Sequence, residues 1–396
     1  VAAADLGMLS LPTNVYTGIA KYPLMAIPVF VIAGLIFERA GVAATIVRFA
    51  SALVGQRRGS LAIVAILVAM ILGGISGSGP ADSAAVGAVM LPSMLKAGYP
   101  RAFTAGVIAA AGSTDILIPP SIAFVIYSLL VPQASVPALF AAGMIPGILS
   151  GLTLVLVAWW LSVRHGFEAN VADERPPFWQ SLKDAGWGLL APVIILGGMR
   201  SGLFTPTEAA VVAVFYGVVV GVLIYRSLGW RDIVEVLVES AEISSVILTV
   251  VALASVFAWA SNTLGTFDHL AAALLGTGLS EIPMLLSIQL LLLIAGMFLD
   301  AISIYFIFLP LLVPIAQHFG WDLVWFGVII TMNMALGQFH PPLGVNLMVT
   351  CRMAGVSMES TVPWVLWMIA AMAGTMFLVT FIPDLALWLP RHLGYL

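Results

Sequence analysis

Gly73-Gly74-Ile75-Ser76-Gly77-Ser78-Gly79-Pro80 interrupts an apolar run in which Leu61–Leu72 contains no charged residue. Glycine lets the backbone leave helical geometry, and proline removes an N–H while ending the preceding turn. Within hydrocarbon, irregular backbone survives only where it is buried in protein or lines a wet cavity. A second break follows at Gly112-Ser113-Thr114-Asp115-Ile116-Leu117-Ile118-Pro119-Pro120. Both have counterparts in the C-terminal half, at Gly296-Met297-Phe298-Leu299-Asp300-Ala301-Ile302-Ser303 and at Gly337-Gln338-Phe339-His340-Pro341-Pro342-Leu343-Gly344. One such break reads as a packing kink, since Gly and Pro are common in membrane helices. Two paired breaks read as sites.

The pairing keeps register. Pro119–Pro120 falls on Pro341–Pro342 at an offset of 222 residues. The same offset carries Gly74 onto Gly296, Pro92 onto Pro314, Gly98 onto Gly320, Ser135 onto Ser357, and Tyr99 onto Trp321. Agreement without a gap over this span marks an internal repeat. Run backwards, the offset puts the partner of the apolar stretch Glu208–Tyr225 mostly before Val1, so one further membrane helix is expected upstream of that residue.

Composition places the repeat in a membrane. Hydrophobic residues make up 61% of the 396 positions and charged residues 9%, against roughly 25% charged in soluble chains. Ala138–Val163, Glu208–Tyr225, Leu237–Ala260 and Val362–Ile382 are long enough for helices that need about 20 residues to span hydrocarbon. None alternates as a barrel strand does. The expected fold is an all-α polytopic membrane protein. A net charge of −4 without a basic run gives no sign of nucleic acid as a partner, and the single Cys351 excludes an intramolecular disulfide or a multi-Cys metal site.

Lys and Arg accumulate in cytoplasmic loops and so report orientation. If Pro23–Phe37 runs towards the cytoplasm, the amphipathic stretch Gly41–Gly55 lies along that surface among Arg39, Arg48, Arg57 and Arg58. Ser60–Ala97 then enters and returns on one side, because Lys96 and Arg101 mark its exit. Ala102–Val131 crosses to the uncharged loop Pro132–Pro137, and Ala138–Val163 crosses back to Arg164, Arg175 and Lys183. In the second half, Glu208–Tyr225 returns to Arg226 and Arg231, and Leu237–Ala260 exits to a loop without Lys or Arg. Pro283–Gln317 opens outward, and Asp322–Val349 crosses inward to Arg352. Only Lys21, Arg200 and Arg391, of 15 Lys and Arg, fall on the other side. The two repeats are therefore read as inverted. The first occupies residues 1–163, with a re-entrant hairpin at 60–97 and a broken helix at 102–131. A cytoplasmic linker at 164–184 joins it to the second, 185–396, with its hairpin at 283–317 and broken helix at 322–352.

The breaks carry the expected chemistry. Half-helix N-termini offer N–H groups to an anion. Freed carbonyls, joined by Ser, Thr or Asp oxygens, suit a cation such as Na⁺. Charges at depth are costly and tend to be functional. Asp300 is read as a cation ligand, with an N-cap role as the alternative. Asp82 reads equally as a ligand or as a residue of a helix's first turn. Asp115 and His340 lie in the unwound segments and can face a solute, although a hydrogen-bonded core histidine fits His340 as well. Glu38 and Arg39 read as interfacial side chains that snorkel to water. Thr205-Pro206-Thr207-Glu208 reads as a structural capping box. Trp159, Trp160, Trp321, Trp325 and Trp388 read as interfacial anchors. Pro176–Trp187 reads as an amphipathic surface piece or a flexible link between the repeats.

The stretches GGISGSGPADSAAVGAVMLPSM, ILIPPSIAF, SGLFTPTEAA, GMFLDAISI and HPPLGVNL resemble the large membrane subunit of the tripartite ATP-independent periplasmic (TRAP) transporters. They span nearly the whole chain. The resemblance implies an elevator-type carrier in the bacterial inner membrane, coupled to Na⁺ and taking up an organic acid anion such as a C4-dicarboxylate or sialic acid. It further implies a small four-helix membrane subunit and a periplasmic substrate-binding protein as partners, and no cofactor beyond the coupling ion. Carried over by position, Ser76, Gly77 and Gly79 with Gly112 and Ser113 would hold one Na⁺, and Gly296, Asp300, Ser303 and Gly337 another. Ser78, Asp82, Thr114, Asp115, His340 and Asn346 would face the solute. The family often has Thr where His340 stands, and a smaller or uncharged residue where Asp115 stands.

A stand-alone anion carrier of similar architecture is the nearest alternative. An intramembrane enzyme using Asp115 and Asp300 as paired carboxylates is disfavoured, because the two fall in non-equivalent elements. The departures at Asp115 and His340 are expected to tune solute choice or to add a proton-sensitive element. Uptake by Asp115→Asn and His340→Thr variants should accordingly change in solute range or pH profile; two unchanged profiles refute that role.

Overall fold

Backbone N–H and C=O groups in hydrocarbon must pair within the protein, and a helix does so within one segment. A computed structural model describes residues 9–167 and 176–396, and its regular structure there is helical, without a strand. The chain opens with α1 (Ser10–Ile19), α2 (Ala26–Arg39) and α3 (Val42–Val54). A hairpin of α4 (Ser60–Ser76) and α5 (Gly79–Lys96) follows, then α6 (Arg101–Gly112), α7 (Ile122–Leu130) and α8 (Val136–His165). Next come α9 (Phe178–Arg200), α10 (Pro206–Val219) with a π-helical turn over Val220–Ile224, α11 (Trp230–Thr263) and α12 (Thr266–Leu275). A second hairpin, α13 (Glu281–Gly296) and α14 (Ala301–His318), leads into α15 (Leu323–Gly337), α16 (Val345–Ala354), α17 (Met358–Phe381) and α18 (Asp384–His392).

Seven described helical segments are long and apolar enough to cross a bilayer: Tyr22–Arg39, Val136–His165, Phe178–Arg200, Pro206–Ile224, Trp230–Thr263, Ala301–His318 and Met358–Phe381. Their exposed side chains are largely apolar, as Leu237, Val246, Leu253 and Phe257 show on α11. Polar signals set several helix starts. Ser121, Ser135, Thr205, Asp300 and Asp322 each accept backbone N–H bonds at an N-terminus. The Thr205–Glu208 capping box is present with both of its bonds.

Helix starts repeat across the chain at the spacing read in the sequence. Gly79 and Ala301 open the second arms of the hairpins, Arg101 and Leu323 open α6 and α15, and Val136 and Met358 open α8 and α17. Packing between the two units is reciprocal. Helix α16 lies against α5 and α6, while α7 lies against α14 and α15. Arg101, at the start of α6, donates to Ala354 O at the end of α16 (3.1 Å). In the other direction, the Tyr127 hydroxyl of α7 donates to Leu323 O at the start of α15 (2.7 Å). Thr153 of α8 and Thr375 of α17, 222 residues apart, share a hydroxyl–hydroxyl hydrogen bond of 2.9 Å. Phe103, Phe124, Tyr127, Tyr305, Phe326 and Phe339 are fully buried in the core.

Two sequence expectations change here. The linker expected at 164–184 is shorter, because α8 runs to His165 and α9 begins at Phe178. Lys183 therefore belongs to a helix, whereas Arg175 lies outside the described residues. Polar composition makes this stretch read as loop, yet Gln180 donates to Asp184 four residues on (3.1 Å), a pairing that supports a helix. Trp321 and Trp325 are not interfacial anchors but are buried, at 7% and 5% exposure. An indole goes inside when its N–H finds an acceptor, here Glu281 Oε1 and Val379 O, each at 2.9 Å. Trp159, Trp160 and Trp388 do remain exposed.

The contact between α8 and α17 can be tested by cross-linking. A Thr153→Cys/Thr375→Cys pair in a Cys351→Ser background should form an intramolecular disulfide under mild oxidation, read as a gel-mobility shift. A pair that stays reduced would place these helices apart.

Candidate functional site

The first hairpin tip folds onto the first break. Gly77 ends α4 in the left-handed region (φ 62°), a conformation disfavoured for residues with a Cβ. A Cβ there would also collide with Pro120 O and stand 3.1 Å from Ser121 Cα. Gly79 opens α5 under similar crowding, since its Cβ would stand 3.0 Å from both Gly112 O and Asn346 Nδ2. Ser76, Gly77, Gly79, Gly112, Ser113 and Thr114 are therefore gathered at one buried place. Asn346 joins them from α16: its amide donates to Ala109 O (3.3 Å) and to Gln338 Oε1 (3.2 Å).

Side-chain oxygens at this place mostly close helix ends. Ser113 and Thr114 hydroxyls donate to Ala110 O (2.7 Å) and Ala111 O (2.8 Å). Ser76 donates to Asp82 (2.5 Å) and accepts from the Ser78 N–H (3.2 Å). Ser83 Oγ and the Asn346 carbonyl oxygen remain buried without a partner. Buried polar atoms without partners are costly, so these oxygens are available to a guest.

In the second unit the tip is more open. Asp300 caps α14, accepting from the Ile302 and Ser303 N–H groups and from the Ser303 hydroxyl. The N-cap alternative for Asp300 thus describes its present contacts, and its side chain is exposed. Behind it, Gly296 and Gly337 touch backbone to backbone, because a Cβ on Gly337 would stand 2.5 Å from Gly296 O. His340 takes no part in this. Its Nδ1 pairs with Pro341 O (2.5 Å). Both Pro-Pro bonds, Pro119–Pro120 and Pro341–Pro342, are cis.

A cavity of about 60 Å³ opens beside the first tip. Leu35 and Glu38 of α2, Ser76, Ser78 and Asp82 at the tip, Ile122 of α7, and Ile243 and Ile247 of α11 line it. It has room for a few waters, whereas pockets for larger organic ligands run to about 300 Å³ and above. Glu38, expected to snorkel to water, is exposed and also lines this cavity. Beside it, Arg39 forks onto Glu235 (2.5 Å) and Glu239 (2.9 Å) of α11, tying α2 to that helix. Sequence reasoning missed Glu38 and Gln338 as site residues. An acid ending a strongly apolar helix, and an amide directly after Gly337 in the last of the four breaks, were the available signals.

Long apolar helices around paired hairpins, with buried polar breaks, define a multi-pass membrane transport protein. Residues 4–385 match the family described as "Tripartite ATP-independent periplasmic transporter, DctM component". The chain is 36% identical over 398 residues to the C4-dicarboxylate TRAP transporter large permease protein DctM of Rhodobacter capsulatus, covering 96% of this chain and 90% of that one. It is also 36% identical over 389 residues to the isethionate TRAP transporter permease protein DctMQ of Oleidesulfovibrio alaskensis, where 98% of this chain spans 61% of the relative. Among solved structures, the YdaH transporter of Alcanivorax borkumensis shares the fold at TM-score 0.64 and 16% identity, over 96% of this chain and 90% of that one. The chain belongs to the DctM family of TRAP transporter large permeases, which are transporters and not enzymes.

The crowding at the first tip gives a direct test. Gly77→Ala combines a left-handed backbone with a backbone collision, and should cost about 2 kcal/mol or more of stability. Thermal unfolding in lipid nanodiscs measures it. Gly374→Ala, in α17 with open space around it, is the control and should change little.

Proposed function

We propose that this permease carries a small organic acid anion into the bacterial cell across the inner membrane, driven by Na⁺. The observation that supports this most is the pair of hairpin tips folded against broken helices, the first with backbone and hydroxyl oxygens gathered out of water. The relatives' names add solute chemistry, a C4-dicarboxylate in one and a sulfonate in the other. A small anion with one or two strong charges is the shared feature.

In this reading Ser76, Gly77, Gly79, Gly112 and Ser113 supply oxygens for one Na⁺, and Gly296, Asp300, Ser303 and Gly337 for another. Asp300 would turn from its cap towards the ion. Ser78, Thr114, Asn346 and His340 would meet the solute, with the N-terminus of α5 supplying N–H groups to its charge. The present cavity is too small for such a solute, so loading requires the tip to part from α2 and α11. The equal spacing of helix starts and the reciprocal packing support two inverted repeats, 1–163 and 185–396. Relative movement of the tip-bearing elements against the long lipid-facing helices would then be an elevator. A periplasmic binding protein would deliver the solute, and a small four-helix subunit would complete the membrane assembly.

The test is uptake by the reconstituted complex with its binding protein, under an imposed Na⁺ gradient. Uptake should follow the gradient and stop when Na⁺ is replaced by K⁺. Asp300→Ala should raise the half-saturating Na⁺ concentration about tenfold, the loss of about 1.4 kcal/mol expected of one charged ligand. Uptake that ignores Na⁺ would reject the coupling, and unchanged Na⁺ dependence in Asp300→Ala would reject the site.

A further inference from the structure

The two halves of the chain meet at a side chain whose hydrogen bonding is only partly spent. In a continued helix the Ser113 N–H would pair with Ala109 O, but it turns to Ala110 O instead (3.3 Å). Ala109 O is taken up by the Asn346 amide of α16 (3.3 Å). A backbone carbonyl can only accept, so this contact fixes which end of the Asn346 amide is nitrogen. The second N–H of that nitrogen goes to Gln338 Oε1 (3.2 Å). Both donors are then used. What Asn346 has left is its carbonyl oxygen, buried without a partner in a residue of 0% exposure.

A second oxygen beside it is in the same condition. Ser83, one turn into α5 from Gly79, is fully buried, and its hydroxyl has no partner. The two residues flank one backbone contact. A Cβ on Gly79 would stand 3.0 Å from both Asn346 Nδ2 and Gly112 O. One on Gly112 would collide with Ser83 Oγ and stand 2.9 Å from Gly79 O. The Ser83 hydroxyl and the Asn346 carbonyl nevertheless do not pair with each other. The repeat itself does not call for them. Its 222-residue offset relates Ser83 to Tyr305, Asn346 to Phe124 and Gln338 to Ile116. Those three are buried as well, so the other half fills the corresponding place with rings and an aliphatic chain. Unpaired buried oxygens are costly, and here the architecture has an apolar solution that these positions do not use.

Donor and acceptor chemistry then names the guest. Asn346 so arranged has no N–H left for a carboxylate or a sulfonate, and offers only an acceptor. A hydroxyl donates once and also accepts, so one such group satisfies both Asn346 and Ser83. A hard cation takes about six oxygens, against these two unspent side-chain oxygens. We propose that Asn346 and Ser83 form a hydroxyl-recognition subsite, which makes the solute a hydroxy acid anion. Gln338 is the positioning residue: by holding the second N–H of Asn346, it leaves the carbonyl as the group presented. The inference rests on the anion uptake proposed above, and the solute's charge is met elsewhere, at the N-terminus of α5. The oxygens are covered in the present state, and the parting of the tip that loading requires would uncover them.

Thermal unfolding of the permease in lipid nanodiscs with Na⁺ tests this, using anion pairs that differ by one hydroxyl. The pairs are isethionate and ethanesulfonate, malate and succinate, and glycolate and acetate. The rise in unfolding temperature with ligand concentration gives each affinity. In at least one pair the hydroxy member should bind about tenfold tighter or more, a difference of about 1.4 kcal/mol. Ser83→Ala should bring that ratio down to about threefold or less. Gln338→Leu should lower the ratio more than Gln338→Glu, which keeps an acceptor for Asn346. A merely structural defect would weaken both members together and leave the ratio alone. Equal binding within every pair, or a ratio unmoved in Ser83→Ala, overturns the hydroxyl subsite and leaves anion uptake standing. Stabilisation by Na⁺ alone that Ser83→Ala abolishes would give these oxygens to the ion. Stabilisation by none of the anions removes the anion reading and this inference together.

Discussion

The structure depends on one constraint, that a polar backbone inside hydrocarbon must find partners in the protein. Four apolar helices, α4, α6, α13 and α15, are shorter than a full membrane span, and each end leaves orphan carbonyls. Those ends are not scattered. The end of α4 is pressed on the break after α6, and Gly296 at the end of α13 is pressed on Gly337 at the end of α15. Serine and threonine hydroxyls from the breaks then turn back onto the last carbonyls of α6. The same oxygens that satisfy the fold are the ones a dehydrated cation could use.

Close approach explains why the tips are built from glycine. At Gly77 both the φ angle and the neighbouring Pro120 carbonyl exclude a side chain. At Gly337 the neighbour is the backbone of Gly296. The two tips nevertheless differ in cover. The first is buried beneath α2, α7 and α11, whereas Asp300 and its neighbours at the second are exposed. Chain symmetry therefore does not produce environmental symmetry, and the first tip has a small cavity beside it.

Much of this was legible from residues alone. Hydropathy and charge give a helical membrane protein, since no soluble arrangement covers so apolar a chain. The Pro-Pro pairs and their 222-residue spacing, with Gly74 and Gly296 in step, mark the two units because kinks in hydrocarbon leave a strong compositional trace. The capping box at Thr205 was equally plain, being local chemistry. Trp321 and Trp325 misled, because burial of an indole depends on acceptors supplied by Glu281 and Val379, both far along the chain. The start of α9 left two readings open, an amphipathic piece or a flexible link, until the helical spacing of Gln180 and Asp184 is recognised.

By itself, then, the sequence determined the solvent, the helices, the breaks and their pairing, because these follow from composition and short-range spacing. Partnership among side chains was decided only by the tertiary structure. His340 looked like the companion of Asp115, both standing at expected departures from the family. Folding places Asp115 against Gly73 of α4 and leaves His340 on Pro341. The reason is geometric: Gly73 empties a space on α4 that only the packed hairpin and broken helix together can define. A glycine's missing side chain is visible in the sequence, but the group that fills its place is not.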